Sequence, residues 1–371
     1  MRVTVADPPA YTPPYDHALS QALAERGHDV TLATSRFRYG AVPEARGYRR
    51  SECFYRIAPA SPVAKAVQHP LDMLRLARAS RSRADIVHFQ WLPIPALDRR
   101  LLARFPRPLV LTAHDVMPRE VRAGARGGTP ALLREMDAVI VHSLAGKRRL
   151  VEELRVPADR VHLIPHGAFD HLTNAAAGPQ PAALDGLDGR RVVLFFGLVR
   201  PYKGVDLLVE AFADAPDDTV LLVVGMPRMP MAPLEARARE LGIGGRVRFV
   251  SRFVPDSELP AYFRRADVLA LPYREIEQSG VLYTALAFGT PMLLSAVGGF
   301  PEIAERGAAR LFEPGSAESL SHALLELLGD EAARQRMREA SRALAAGEFS
   351  WKRTAELTEA LYLRLLEGPT T

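Results

Sequence analysis

The sequence predicts an α/β chain of two tandem, doubly wound parallel-sheet domains. Three observations predict it. Short runs rich in Val, Ile and Leu alternate with helix-like stretches, and the whole alternation occurs twice. Continuous apolar strands separated by helices describe parallel sheets covered on both faces. Two such units describe two doubly wound domains. The length, 371 residues, is too long for one ordinary domain and at about 150 residues per domain fits two or three.

The first half contains the runs Val3–Asp7, Val30–Thr34, Ile86–Gln90, Leu109–His114, Ala138–His142 and Val161–His166, each closing on a polar residue. Asp16–Arg26 and Leu144–Leu154 are helix-like stretches among them. Ala175–Gly189 (AAAGPQPAALDGLDG) is rich in Ala, Pro and Gly and reads as a linker. The second half repeats the pattern with Val192–Gly197, Val220–Gly225, Val247–Ser251, Val268–Pro272, Met292–Ala296 and Arg310–Phe312. Val205–Ala213, Ser257–Ala266 and Ser279–Phe288 read as its helices. Phe349–Leu366 reads as a capped amphipathic helix in which Trp351 belongs to the core. The predicted organisation is therefore 1–174, a linker 175–189, 190–348, and a terminal helix in 349–371.

Composition narrows the classes. No run of about 18 apolar residues exists, so no membrane-spanning helix is expected. The amino-terminal residues MRVTVADPPAY enter a strand directly, without the pattern of a secretion signal. The single cysteine, Cys53, leaves no disulfide framework and no cysteine-built zinc site. The cytoplasm is the expected compartment. Of 48 basic residues, 44 are arginine. Residues 1–185 carry 26 basic against 18 acidic side chains, and residues 186–371 carry 22 against 25. The first half is thus the better surface for an anionic partner. No nucleic-acid-binding motif accompanies that charge, so no nucleic-acid partner is expected.

In open α/β sheets ligands bind beyond the carboxyl ends of the strands. That rule selects Asp7–Tyr15, Gln90–Trp91, His114–Asp115, His166–Gly167, Gly197–Lys203, Gly225, Ser251–Arg252 and Tyr273–Ser279. Arg200 and Lys203 follow a strand in a turn with Pro201 and Gly204. A guanidinium fork plus an ammonium suits a diphosphate. A solvated turn is the plainer reading. Ser279 can cap the helix that follows, Gly280 lets a ligand approach the backbone, and exposed N–H groups at a helix start favour phosphate. Glu275 and Glu277 precede that start, where carboxylates could grip sugar hydroxyls or simply favour the helix dipole.

These stretches resemble a known family. FFGLVRPYKGVDLLVEAF from Phe195, QSGVLYTALAFGTP at Gln278–Pro291 and VGGFPEI at Val297–Ile303 resemble the carboxyl-terminal domain of a retaining glycosyltransferase of family 4, with the GT-B fold. ALAERGHDVTLAT, LTAHD at Leu111–Asp115 and IPHGAF at Ile164–Phe169 resemble its amino-terminal domain. The resemblance implies two Rossmann-like domains with a donor cleft between them, and a terminal helix that crosses back to the first. It implies that Arg200 and Lys203 hold the donor diphosphate and that the amides of Ser279, Gly280 and Val281 cradle its distal phosphate. Gly197 and His166 would lie on the donor side. Glu277 or Glu275 would contact the sugar, and His114 would reach the transferred sugar. Tyr15, Asp16 and Trp91 would face the acceptor. The expected donor is a UDP- or GDP-sugar, with no metal required, and no Asp-X-Asp signature is present.

The sequence departs from the family at three places. Its second glutamate, the ribose ligand, falls on Thr284, and its first falls on Ile276 between the two glutamates. The usual Gly-Arg after the strand is Gly197–Leu198, which moves the arginine's role to Arg200. The glycine-rich loop after the first strand is replaced by PPAYTPPYDH. Leu71–Arg83 sets four arginines beside Leu71, Leu74 and Leu76. It reads as a solvated helix or, as in relatives with lipid-linked acceptors, as a peripheral contact with anionic lipid. The function read from all this is sugar transfer from a nucleoside-diphosphate sugar to a small-molecule, polysaccharide or lipid-linked acceptor. A GT-B phosphorylase or epimerase, or a nucleotide-sugar-binding protein without transferase activity, are the alternatives.

Overall fold

The computed structural model describes residues 1–57, 61–115, 128–173, 178 and 180–368, and the backbone of 125–127. The chain divides into two compact units. The first is Met1–Gly167 with the chain from Ser350, and the second is Ala168–Phe349.

In the first unit the elements run β1 (Arg2–Asp7), α1 (Pro13–Glu25), β2 (Asp29–Ser35), β3 (Arg49–Phe54), α2 (Pro62–Arg83), β4 (Ile86–Phe89), α3 (Pro95–Leu102), β5 (Leu109–Thr112), α4 (Ala125–Arg134), β6 (Ala138–Val141), α5 (Leu144–Arg148) and β7 (Val161–Leu163). The seven strands form one parallel sheet in the order β3-β2-β1-β4-β5-β6-β7. Its central strands are wholly buried, as their Val/Ile/Leu runs require. The edge strand β3, RRSECF, was not anticipated. Only its last residue is buried, so it lacks the apolar run by which a strand is read. The predicted helix Leu144–Leu154 is α5 continued by a π-helical segment, Arg149–Glu153.

The second unit runs β8 (Arg191–Phe196), α6 (Val205–Ala211), β9 (Thr219–Val224), α7 (Ala232–Glu240), β10 (Val247–Val250), α8 (Leu259–Arg265), β11 (Val268–Leu271), α9 (Gly280–Phe288), β12 (Met292–Ser295), α10 (Phe300–Ala304), β13 (Ala309–Phe312), α11 (Ala317–Gly329) and α12 (Glu331–Ala346). Its parallel sheet has the order β10-β9-β8-β11-β12-β13. In both sheets the order reverses beside the first strand of the unit, β1 or β8. Crevices at such switch points are where doubly wound sheets bind ligands.

The linker expectation needs correction. Residues 174–177 and 179 lie outside the described residues. Pro181–Gly189 is packed on the second unit, where Leu184 and Leu187 are buried. The Arg248 guanidinium donates to the carbonyls of Ala183 and Asp185 at 2.8 and 2.7 Å. Ala, Pro and Gly suggested a free segment, but two leucines and these carbonyls attach it. The first unit also closes earlier than residue 174, at Gly167.

The last helix, α13 (Trp351–Glu367), belongs to the first unit and packs on α1. Ser350 caps it, its Oγ accepting from the Arg353 amide at 3.2 Å. Trp351 is buried, 5.1 Å from the Tyr15 ring. A Cβ added at Gly167 would come within 2.3 Å of the indole, so Trp351 lies on bare backbone.

Candidate functional site

In the second unit the chain after β8 turns through a 3-10 segment, Pro201–Lys203. Gly204 follows with φ of +66°, and a side chain there would meet the Pro272 carbonyl at 1.9 Å. The turn is thereby pressed against the end of β11. Arg274 completes the attachment. Its amide donates to the Tyr202 carbonyl at 2.7 Å, and its guanidinium pairs with Asp206 at 2.6 Å.

This clamp places Lys203. The side chain is 8% exposed, with Nζ 4.9 Å from the centre of the Tyr273 ring. A Cβ built on Gly197 would meet both Lys203 Nζ and Val281 Cγ2 at 3.2 Å. The ammonium, the glycine after β8 and the first turn of α9 therefore converge on one point. The first-turn N–H groups of a helix have no intrahelical acceptor and carry partial positive charge. Arg200 is half-buried in the same turn.

The loop before α9 separates the two candidate glutamates: Glu277 is buried and Glu275 is exposed. The loop lies against backbone, since a Cβ on Gly298 would sit 1.7 Å from the Ile276 carbonyl oxygen. The Gly299 amide donates to the Glu277 carbonyl at 3.2 Å. Ser279 occupies the N-cap position, but its side chain makes no capping bond. Its Oγ lies 3.4 Å from the Tyr273 hydroxyl instead. Thr284 is buried and its hydroxyl donates to the Gly280 carbonyl at 3.0 Å.

The first unit assembles a different constellation at the carboxyl ends of its strands. His88 lies in β4, and His114, His142 and His166 follow β5, β6 and β7. The His114, His142 and His166 rings lie 4.6, 5.4 and 4.9 Å from Tyr15. Trp91 stacks on His114 at 5.3 Å, and its indole N–H donates to Thr12 Oγ1 at 3.0 Å. His88 pairs with the Tyr362 and Thr112 hydroxyls at 2.6 and 2.7 Å. His114 pairs with Gln90 at 3.0 Å. Asp7 and Asp16 form a buried pair beside Thr12. Burial raises both carboxyls, and the charge of Asp7 raises Asp16 further.

Burial depresses all four histidines. His88 falls to about 3 and His142 to about 4, while His114 and His166 fall well below the ordinary range, each lowered further by neighbouring histidines. The unfolded chain takes up protons on these rings near pH 6.5, and the folded chain does so only at lower pH. Their stabilisation is therefore full above that value and is lost as pH falls. The raised carboxyls act in the opposite sense, but they are two against four. Denaturant unfolding should weaken from pH 6.5 to 5 by more than about 1.4 kcal/mol per pH unit, the slope of one proton. Both tryptophans, Trp91 and Trp351, lie in the first unit and report it by fluorescence. A flat midpoint across that window would contradict the neutral histidine cluster.

Gly197, Arg200, Lys203, Glu277, Ser279, Gly280, Val281 and Thr284 thus belong to one region of the second unit. Glu275 stands at its exposed edge. Tyr15, Trp91, His114 and His166 belong to the first unit, with Asp16 adjoining them through Thr12 and Asp7. His142 and the Asp7–Asp16 pair were not anticipated. The signal for the histidines was present: IVHF, LTAHD, VIVHS and LIPHG put a histidine in or after four consecutive strands. Among the described residues no group of three or more His, Cys, Asp or Glu is arranged to hold a metal ion.

Comparison with known proteins agrees with this division. A family model described as Glycosyltransferase Family 4 matches residues 15–168, and one described as Glycosyl transferases group 1 matches residues 181–344. A D-inositol 3-phosphate glycosyltransferase of Nocardia farcinica is 34% identical over 73% of the chain and 64% of its own length, so the match spans just under two thirds of that relative. The enzyme of the same name from Corynebacterium glutamicum is 28% identical over 78% of the chain and 74% of its own. Among solved structures, sucrose-phosphate synthase from Thermosynechococcus elongatus superposes with a TM-score of 0.77 at 22% identity, covering 99% of each chain. Anabaena Alr3699/HepE in complex with UDP superposes with 0.75 at 18% identity, covering 98% of this chain and all of the other. These neighbours share the GT-B fold. One family model spans residues 15–168, most of the first unit, and the other residues 181–344, most of the second: each half of the chain matches a glycosyltransferase family model.

Proposed function

We propose that the chain is a retaining glycosyltransferase that moves a sugar from a nucleoside-diphosphate sugar, a UDP-sugar foremost, to a hydroxyl-bearing acceptor. One observation carries the reading: the buried Lys203 ammonium meets Gly197 and the first turn of α9 at one point. A diphosphate is the group that such a point suits. Anabaena Alr3699/HepE, of the same fold, in complex with UDP and with UDP-glucose favours uridine as the base.

As the bond from the anomeric carbon to the diphosphate breaks, negative charge grows on the leaving oxygen. Lys203, Arg200 and the amides of Ser279, Gly280 and Val281 stabilise that charge without reorganising. These cations do the work a divalent ion would do, so EDTA should leave the rate unchanged. The leaving phosphate takes the proton of the acceptor hydroxyl on the same face, which retains the anomeric configuration. The products are the glycoside and the nucleoside diphosphate. Glu277, being buried, orients the sugar hydroxyls. Glu277→Gln should lower kcat/KM at least tenfold and Glu275→Gln less than twofold; the reverse order would move the role to Glu275. The first unit, with Tyr15, Asp16 and Trp91, serves the acceptor side.

Peripheral contact with anionic lipid is part of the reading. Val63, Val67, Leu71 and Leu74 are all exposed, with Val63 74% accessible, along one stripe of α2. Arg78 and Arg81 continue that stripe. Leu76 is turned inward. Among the described residues no helix is long and apolar enough to cross a membrane. Flotation with anionic liposomes should be lost in Val67→Glu/Leu71→Glu.

The deciding experiment is thermal shift with UDP, GDP, dTDP and ADP and their sugars, followed by NMR of the product anomer. At 100 times its dissociation constant a ligand adds about 2.7 kcal/mol. No shift from any nucleotide in folded protein, or an inverted product, would overturn the reading.

A further inference from the structure

A groove of about 1000 Å³ lies in the first unit, between α2 and one face of β1, β2 and β3. Sheet faces in doubly wound folds are ordinarily apolar and covered. This one is partly polar and partly open: Thr4 and Ala33 are buried, while Thr31 and Ser51 are half-buried. Its floor is made of small side chains, Thr4, Thr31, Ala33 and Ser51, brought abreast by the parallel register. Its rim carries the guanidiniums of Arg2, Arg49, Arg56, Arg75 and Arg83 against the carboxylates of Asp29 and Asp72.

The carboxylates are already committed. Asp29 pairs with Arg49 at 3.1 Å. Asp72 pairs with Arg75 at 2.9 Å and accepts from the Tyr55 amide at 3.0 Å. Arg83, in the last turn of α2, makes no ion pair or hydrogen bond among the described residues, so the surplus of charge is positive. Ser80 lines the groove, is 1% exposed, and its Oγ has no hydrogen-bond partner. The groove also reaches the amino ends of its strands, at Arg2, Asp29 and Arg49, away from the carboxyl ends where the histidine cluster stands.

We propose that this groove binds a soluble, multiply phosphorylated sugar or polyol, at a site separate from the one that performs transfer. Guanidinium forks match phosphate oxygens. The hydroxyls of the floor match those of a sugar or polyol. No aromatic side chain lines the groove, so nothing is offered to a nucleobase. The volume lies at the upper end of the range for small-molecule sites and exceeds what one phosphate fills.

Titration calorimetry at 150 mM salt tests this, with myo-inositol hexakisphosphate as the probe and inorganic phosphate and UDP as comparisons. One equivalent of the hexakisphosphate should bind, and inorganic phosphate at least a hundredfold more weakly. Arg49→Gln/Arg83→Gln should weaken the hexakisphosphate at least tenfold and leave the response to UDP unchanged. Ala79→Glu, on an exposed turn of α2 that lines the groove, should do the same through one added carboxylate, and it keeps the test open if the double variant folds poorly. Binding that is unsaturable at this salt, or that survives Ala79→Glu, overturns the proposal. Since the UDP response is followed in parallel, failure here is distinguishable from failure of the transferase reading.

Discussion

Replacing Lys203 by alanine should lower kcat/KM for the nucleotide sugar about a hundredfold while the protein remains folded. A charge-assisted hydrogen bond contributes about 1.5–3 kcal/mol, and each 1.36 kcal/mol is tenfold in rate. The upper end applies because the ammonium is almost wholly buried and stands where the leaving charge would develop. Removing it leaves that charge with Arg200 and the helix amides alone. Lys203→Arg should not rescue. The longer, planar group does not fit the place of an ammonium that lies 4.9 Å from the centre of the Tyr273 ring and 3.2 Å from where a Gly197 Cβ would stand. Steady-state kinetics with the donor selected by thermal shift decide the matter. A rate within threefold of wild type in Lys203→Ala would remove Lys203 from the diphosphate site.

Gly298→Ala should be as damaging, for a reason of shape rather than charge. Gly298 has φ of +54°, and its missing Cβ leaves room for the Ile276 carbonyl. An added methyl would stand 1.7 Å from that oxygen and 3.3 Å from the Glu277 Cα, and both are backbone atoms. The loop carrying Glu277 must therefore move by an ångström or more. Displacements of that size at a reacting centre cost about a hundredfold. A depressed melting temperature should accompany the loss. Gly280→Ala is the control: its added Cβ would meet only the Phe169 ring, at an ordinary 3.7 Å. That variant should melt like wild type. If Gly298→Ala keeps full activity, the loop is not what orients the sugar.

The strands were legible because both faces of each sheet are buried, which writes a strand as an uninterrupted apolar run. The runs at Val192, Val220 and Val268 correspond to β8, β9 and β11 within one or two residues at each end. β3 escaped because it is an edge strand whose side chains form the polar floor of the α2 groove, so it has no such run. Lys203 and Gly280 were readable as candidates from their places after a strand and before a helix. Their convergence was not, since it depends on tertiary approaches at Gly197 and Gly204. The same limit applied to Glu275 and Glu277. Two glutamates one residue apart are equivalent on paper, and only the loop's seat against Gly298 makes one buried and the other exposed.

The lodging of Trp351 on Gly167 also sets an order of events during synthesis. The ribosome makes the whole second unit before it makes α13. Until then the first unit lacks the helix that covers α1 and the indole that faces Tyr15 and His166. The earliest-made unit is thus the last that can be completed. A nascent chain stalled before Ser350 should expose the Tyr15 face to chaperones, whereas the second unit would already hold all of its own sheet.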